Sequence, residues 1–226
     1  APKLLSDTDR SRFEYAGASG GYVDYLGYPF CRGRILRTVE RDEGQYDDER
    51  DVFWVSGAAF CCRASVFHAL GGFDADFFAH MEEIDLCWRM QLAGWRVRIV
   101  PQSSVYHLGG GTLTVDSPTK VFYNHRNNLA MLYKCAAPGQ RLLAAVVRPW
   151  LDLLAALSYL AQGRYDNFRA VFRAWRDFLK WHPALVAKRR AVSKSRVPQP
   201  CVRIFRGSVL LRYFLGRRTF GNLMEK

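Results

Sequence analysis

Hydrophobic positions predict short strands in the first half of the chain. The run VFWVSGAAFCCRA, residues 52–64, is apolar almost throughout, which is typical of a strand buried on both faces. Alternating residues closed by a proline predict a strand over 95–101, and another is predicted over 103–108. PKLL at 2–5 predicts the end of a strand. The Gly-, Tyr- and Phe-rich stretch 13–34 predicts a loop with short strands.

Helical patterns begin after the long apolar run. We expect Ser65 to cap a short helix that ends at Leu70 before two glycines. A second helix is predicted over 81–93, where Gly94 stops it. A third is predicted over 118–134, because proline is favoured in a first helical turn.

The character of the chain changes after these elements. Residues 141–163 are apolar almost all round, with interruptions at Arg148, Pro149 and Asp152, and residues 165–181 carry aromatic side chains on one face and Arg and Lys on the other. Neither stretch has the roughly twenty uninterrupted apolar residues of a spanning helix. Two interpretations stay open: helices lying in a membrane interface, or a helical subdomain packed on the core.

Charge indicates the kind of partner. The chain has 226 residues, 49% of them hydrophobic, and a formal net charge of +12. This excess favours an anionic partner, which could be nucleic acid, a nucleotide phosphate or an acidic membrane. The positive charge is concentrated in 180–196 and 211–220, whereas 40–51 is acidic. No RNP-like aromatic motif, zinc-finger spacing or helix-turn-helix pattern is visible, so the sequence disfavours nucleic acid.

Cysteine usage and the first residues bear on the compartment. Six cysteines without a C-x-x-C spacing predict buried free thiols in a reducing cytosol. The chain starts APKLLSDTDRS and shows no signal peptide. We expect it to be a piece of a longer protein.

Three carboxylates lie within four positions in the predicted helix over 81–93. Glu82 and Asp85 share a helix face, Glu83 points about 100° away, and Asp85 can pair with Arg89 four residues on. Such a cluster is costly to bury unless a cation or a substrate proton uses it. An acid at the helix N-terminus is kept ionised by the helix dipole, which suits a general base. The alternative is a solvated acidic helix face.

His107 follows a predicted strand and is followed, after Leu108, by the glycines 109–111. Glycines allow the backbone to approach a ligand closely, and imidazole often joins carboxylates at a divalent ion. The alternative is a hydrogen-bonded structural histidine.

The segment SGAAFCCRASVFHALGGFDADFFAHMEEIDLCWRMQLAGWRVRIVPQSSVYHLGGGTL resembles the C-terminal half of the catalytic domain of family 2 inverting glycosyltransferases, in particular bacterial rhamnosyltransferase-like members. The resemblance covers roughly 1–135 and is dense in 52–113. It implies an α/β fold with a partial GT-A (Rossmann-like) catalytic domain, the acceptor and base half, in 1–117. A helical, basic, membrane-associated region would follow in 118–226.

The resemblance also implies roles for individual residues. Glu83 takes the position of the acid that deprotonates the acceptor hydroxyl. Glutamate there departs from the family's aspartate, so Asp85 stays an alternative base, and Glu82 completes the catalytic group. Four residues are expected to bind substrate: Gly57, Ala58, Trp88 and Arg89. The family's Tyr-His-x-Gly-Gly motif matches Tyr106, His107, Gly109 and Gly110, which implies His107 as a metal ligand.

The implied reaction is transfer of a sugar, with inversion, from a nucleotide-diphosphate donor to a glycan or lipid-linked acceptor in cell-surface polysaccharide synthesis. The implied cofactor is Mg²⁺ or Mn²⁺. The family's nucleotide-binding half and its Asp-x-Asp motif are not in the sequence, so we expect this chain alone to be inactive. The expected location is cytoplasmic, peripheral on the inner face of the cytoplasmic membrane, through an anionic membrane surface.

Two other functions compete with this interpretation. The chain could be a membrane-associated scaffold that keeps the fold without catalysis, which the intact acid and histidine positions argue against. A nucleic-acid-binding protein is motivated by charge alone.

Overall fold

A computed structural model describes residues 1–109 and 117–225 of the protein. The strands in this part are short: β1 Lys3–Ser6, β2 Gly21–Asp24, β3 Pro29–Cys31, β4 Arg34–Ile35, β5 Thr38–Val39, β6 Arg50–Asp51, β7 Arg98–Ile99, β8 Ser104–His107 and β9 Ile204–Phe205. The helices are α1 Ala64–Ala69, α2 Glu82–Leu92, α3 Pro118–Cys135, α4 Pro138–Ala161, α5 Tyr165–Ser195, α6 Val209–Phe214 and α7 Phe220–Met224. A 3₁₀ turn, Ala75–Phe77, precedes α2.

The described strands form three small sheets. β1 and β8 pair in parallel, with Leu4 opposite Val105. The largest sheet has the order β5-β4-β3-β2-β9, in which β9 lies parallel to β2 and the other pairs are antiparallel. β6 and β7 form a separate antiparallel pair. Helices and strands are therefore mixed, as expected for an α/β glycosyltransferase, while assignment to half of a GT-A domain stays a prediction.

The predicted strand over 52–64 is wrong. Residues 52–56 are buried but irregular, because Val52 bonds to Val97 whereas Phe53 and Trp54 both bond to Gly21. Two partners on different elements do not build a continuous ladder. Residues 57–64 are exposed or half-buried loop. The apolar run therefore predicts that its first half is buried, but it does not predict a strand.

The helical predictions hold better, since α2 and α3 begin and end within one residue of their predicted bounds. Pro118 occupies the first helical position of α3, and Ser117 caps it by accepting a hydrogen bond from the Lys120 backbone N–H. α1 starts one residue before Ser65, so Ser65 does not cap it. The predicted strands over 2–5, 95–101 and 103–108 appear as β1, β7 and β8, with β7 reduced to two residues.

The largest hydrophobic core draws on both halves of the chain. It joins buried residues of 5–99 to residues of α3, α5, α6 and α7, including Met131, Leu185 and Phe220. The expected helical region 118–226 also supplies β9, the edge strand beside β2. α3 packs along α5 and lies against α2. These contacts fix the position of α2, which carries the three acids.

Candidate active site

The first turn of α2 carries the acid cluster. Glu82, Glu83 and Asp85 all lie in it, and Met81 precedes the helix in a left-handed conformation without a capping side chain. The three acids differ in their burial. Asp85 turns to the protein interior with no exposed surface, while Glu82 and Glu83 are half-buried.

Asp85 is held in a buried ion network. Its carboxylate accepts from Arg89 Nε at 2.8 Å, as the four-residue spacing predicts, and from Lys134 Nζ of α3 at 2.9 Å. Arg89 also donates to the backbone oxygens of Leu70 and Gly72. Breaking such a pair leaves an uncompensated buried charge. Asp85 therefore anchors α2 to its neighbours.

Asp74, just before the 3₁₀ turn, extends the network to α5. Lys134 lies 2.6 Å from its carboxylate, and Lys188 also pairs with it. Burial alone would raise the pKa of Asp74, but the two lysines outweigh it and lower the pKa to about 2. Five charged groups, from α2, α3, α5 and the residue before the 3₁₀ turn, thus pair with one another near the start of α2.

Glu83 faces a cavity of about 320 Å³ on the other side of the helix, which we call the Glu83 cavity. It is lined by aromatic side chains, among them Tyr15, Tyr28 and Trp54. Basic and amide side chains also line it: Arg34 of β4, His80 before α2, Lys120, Asn124 and Asn128 of α3, and Arg148 of α4. An aromatic and polar cavity of this kind suits a sugar-bearing ligand.

The carboxylate of Glu83 lacks the ion pairs that Asp85 has. Its Oε2 atom is buried and has no hydrogen-bond partner in the described part of the chain. Burial, and secondarily Glu82, raises the pKa of Glu83 to about 7, although its own N–H and that of Ile84 partly oppose this. The expectation that the helix dipole keeps this acid ionised is therefore wrong, because burial outweighs it. An acid with a pKa near 7 can accept and release a proton at neutral pH.

The basic side chains of this cavity also have nitrogen atoms without hydrogen-bond partners. Arg34 and Arg148 are buried, and within the described residues the Nε atom of each lacks a partner. The same holds for Nε2 of His80, whose pKa is lowered by burial and by Lys120. Arg148 Nη1 donates to the Leu26 oxygen at 3.0 Å. The unpaired guanidinium donors in the lining of this cavity suit an anionic group on a ligand.

Glu83 also borders a second cavity of about 410 Å³, which is mainly apolar and includes Val55, Phe60 and Leu86. Gly57 lies close by, since a Cβ atom on it would sit 3.7 Å from Cβ of Glu83. Ala58 follows in the same exposed loop. Two of the expected substrate-binding residues thus lie near the acid.

Trp88 and Arg89, the other two, lie elsewhere. Trp88 is 1% exposed and packs edge-on against Phe53 with ring centroids 5.2 Å apart. Arg89 is bound in the ion network of Asp85. The structure brings neither side chain to the cavities that border Glu83.

His107 ends β8 and faces a carboxylate. Its Nδ1 atom lies 3.6 Å from Oε1 of the buried Glu14. Gly109 comes so close to Glu14 that a Cβ atom would sit 2.4 Å from the same oxygen. The close backbone approach expected of these glycines is thus to Glu14, and Gly110 lies outside the described residues.

The residues near His107 can be compared with the ligands that Mg²⁺ or Mn²⁺ requires. The described part of the chain contains no cluster of three or more His, Cys, Asp or Glu side chains able to hold a metal ion. His107 and Glu14 provide two donors, and Mg²⁺ is usually held by one or two carboxylates together with waters and substrate phosphates. The pair therefore fits as part of such a shell and does not complete it. The metal stays a prediction.

Sequence patterns did not predict several residues around Glu83. Arg34 and Lys120 are single charges without a surrounding motif, and in the sequence Arg148 argues only against membrane spanning. The run Arg126-Asn127-Asn128 carried a signal, because three polar residues sit inside an otherwise amphipathic helix. All three are buried.

Relatives of known function match about half of the chain. A rhamnosyltransferase of Mycobacterium tuberculosis (strain CDC 1551 / Oshkosh), named N-acetylglucosaminyl-diphospho-decaprenol L-rhamnosyltransferase, is 34% identical over 134 residues, covering 57% of this chain and 43% of its own length. Rhamnosyltransferase WbbL of Escherichia coli (strain K12) is 41% identical over 104 residues, covering 46% and 39%. The matches thus span less than half of either relative.

The family model described as glycosyl transferase family group 2 matches residues 45–175. That range contains the acid cluster, both cavities that border Glu83 in large part, and α3 and α4. Since it covers more than half of the chain, the protein belongs to glycosyl transferase family group 2, whose members transfer sugars.

Proposed function

We propose that this chain provides the acceptor-binding and proton-abstracting part of an inverting glycosyltransferase. The donor is a nucleotide-diphosphate sugar, with rhamnose suggested by the two relatives, and the acceptor is a lipid-linked glycan of cell-surface polysaccharide synthesis. One observation carries the proposal: Glu83 is an unpaired carboxylate, with a pKa near 7, at the wall of a sugar-sized cavity.

In the proposed step Glu83 takes the proton of an acceptor hydroxyl. The oxygen attacks the anomeric carbon, and the bond to the nucleotide diphosphate breaks with inversion at that carbon. Asp85 is less suited to be the base, because Arg89 and Lys134 occupy its carboxylate. Glu82 raises the pKa of Glu83 by its charge and stays half-buried beside it.

The lining of the Glu83 cavity supports an acceptor with an anionic group. Arg34, Lys120 and Arg148 line this cavity together with Glu83. Guanidinium and ammonium groups are the usual partners of phosphate. The name of the mycobacterial relative specifies a sugar on a diphospho-lipid. An acceptor of that class would place its phosphates against these cations.

The exposed face of α4 supports a function at a membrane surface. By length and composition α4 is the described helix that could cross one, with a mean hydropathy of 1.4. Its polar residues Arg148 and Asp152 nevertheless point inward and pair with each other, so the helix keeps contact with the protein. The large side chains that it exposes are apolar: Leu142, Leu143, Val146, Trp150, Leu154, Leu157 and Leu160.

A helix whose charged side chains face the protein and whose apolar side chains face outward suits the interface of a bilayer. Leu143 of α4 lines a groove with Arg206 and Ser208, just before α6, which exposes Leu211 and Phe214. The net charge of +12 favours anionic lipid, here the inner face of the cytoplasmic membrane. The aromatic residues of α5 contribute less than expected, because Phe168, Trp175, Phe178 and Trp181 pack on the protein.

The test of the proposed chemistry is Glu83→Gln, made in the natural protein that carries this chain and assayed for sugar transfer. We expect turnover to fall by about 10²–10⁴, with donor binding nearly unchanged. Asp85→Asn is the companion variant, examined at a temperature where it stays folded. Wild-type turnover in Glu83→Gln, together with loss of turnover in folded Asp85→Asn, would move the base to Asp85. Wild-type turnover in both would exclude both acids as the base, and absence of sugar transfer by the wild-type protein would favour a scaffold.

A further inference from the structure

The segment between the 3₁₀ turn and α2 has a strained backbone. Phe78, His80 and Met81 have φ of 63°, 66° and 72°. Phe78 is the centre of a γ-turn, with ψ of −59° and a hydrogen bond of 2.7 Å from the Ala79 N–H to the Phe77 oxygen. This γ-turn has the rare, strained hand, and non-glycine residues at positive φ cost free energy. Surrounding contacts must hold the segment in place.

One fully buried side chain provides those contacts. Asn127 of α3 has no exposed surface, and its Nδ2 atom lies 2.9 Å from the oxygens of Phe77 and Ala79 and 2.8 Å from that of His80. All three partners are carbonyl oxygens, so the amide must present its NH₂ group to the segment.

Arg126, the preceding residue, fixes the other end of the amide. Its Nε donates to Oδ1 of Asn127 at 3.0 Å, and its Nη2 donates to the Asp76 oxygen at 3.0 Å. The guanidinium lies 4.1 Å from the ring centroid of Trp181 on α5. α3 and α5 thus orient Asn127 toward the strained segment.

The segment determines how the chain enters α2. Helices usually begin after an extended residue whose side chain caps the first turn. α2 begins after the left-handed Met81 and has no capping side chain, and Glu82 and Glu83 are its first two residues. The direction of Glu83 therefore depends on the backbone of 77–81.

We propose that Asn127, oriented by Arg126, is a positioning residue that holds segment 77–81 so that the Glu83 carboxylate enters its cavity without an ion pair. The chemical meaning of this role rests on the proposed function of Glu83. The positioning itself is a matter of backbone geometry and can be measured without sugar transfer.

The experiment compares Asn127→Ala with Gln140→Ala on the chain described here. Gln140 is a matched control, because its amide is also buried and donates to a backbone oxygen, that of Tyr25, at 3.1 Å. We expect Asn127→Ala to increase amide hydrogen exchange in 76–83 by about tenfold or more. Titration of the Glu83 carboxyl by carbon-13 NMR should show its pKa fall from about 7 toward 4.5, since water reaches the group. Gln140→Ala should change neither quantity.

Asn127→Ser guards against simple unfolding, because it keeps one donor and should give smaller changes of the same sign. The proposal is overturned if a folded Asn127 variant loses thermal stability like Gln140→Ala but keeps wild-type exchange in 76–83 and a wild-type Glu83 pKa. Wild-type turnover in Glu83→Gln would overturn the proposed function and leave these two readouts unaffected.

Discussion

α2 and α4 each bury an Asp and an Arg four residues apart, yet the rest of each helix is used differently. In α2 the pair is Asp85 and Arg89, and in α4 it is Arg148 and Asp152. α2 then leaves the unpaired Glu83 at a cavity, whereas α4 leaves an apolar face in solvent. Paired charges mark the structural face of a helix. What remains unsatisfied on the other face underlies the chemistry proposed for α2 and the lipid surface proposed for α4.

The largest effect on stability should come from breaking the pair in α2. Asp85→Asn leaves Arg89 without its buried anion and Lys134 with Asp74 alone, which we expect to cost about 3–5 kcal/mol in the free energy of unfolding. Urea denaturation measures this. Glu83→Gln removes an unpaired acid and should cost less than about 1 kcal/mol or stabilise. Equal losses in the two variants would contradict the distinction between paired and unpaired acids.

The two acids of the α2 region should give opposite pH dependences of stability. Because the pKa of Glu83 is raised from 4.5 to about 7, its contribution is fully present below pH 4.5 and is lost as the pH rises through about 7. That difference is worth at most about 3 kcal/mol. Because the pKa of Asp74 is lowered from 3.8 to about 2, its contribution is present above pH 3.8 and is lost as the pH falls through about 2.

Unfolding free energies measured between pH 3 and pH 8 test this sign. Glu83→Gln should flatten the decline between pH 4.5 and pH 7 and leave the acid limb unchanged. A decline of the same size in Glu83→Gln would assign it to other groups.

The smallest expected effect is on membrane binding by the exposed face of α4. Trp150 is 67% exposed there, and burying an aromatic side chain contributes about 1.5–3 kcal/mol. We expect the protein to sediment with anionic vesicles and to be released by high salt or carbonate. Trp150→Ser should weaken vesicle binding by about tenfold or more. Trp95→Ser is the control, because Trp95 is 45% exposed but borders the apolar cavity near Ala1.

Equal binding of Trp150→Ser and wild type would contradict the membrane face of α4. Extraction by detergent alone would instead point to a spanning helix.

Local sequence was sufficient where the local signal and the tertiary environment agree. α2 and α3 were predicted within one residue at each end, because their apolar periodicity, Pro118 and Gly94 all favour the same bounds. The prediction from local sequence is wrong at 52–64, because an apolar run can be buried in an irregular segment as well as in a strand. Burial and strand conformation are separate properties, and residue type reports mainly the first.

The sequence by itself determined the mixed α/β character, the helix that carries the acids, the Asp85–Arg89 pair and the family. Each of these follows from residues close together in the chain, where spacing fixes geometry. Only the tertiary structure decided that Glu83 is left without an ion pair, that Arg34 and Arg148 line its cavity, and that Arg148 and Asp152 of α4 point inward. These depend on α3, α4 and α5 packing against elements about a hundred residues away, and the burial that raises the pKa of Glu83 exists only once they have packed.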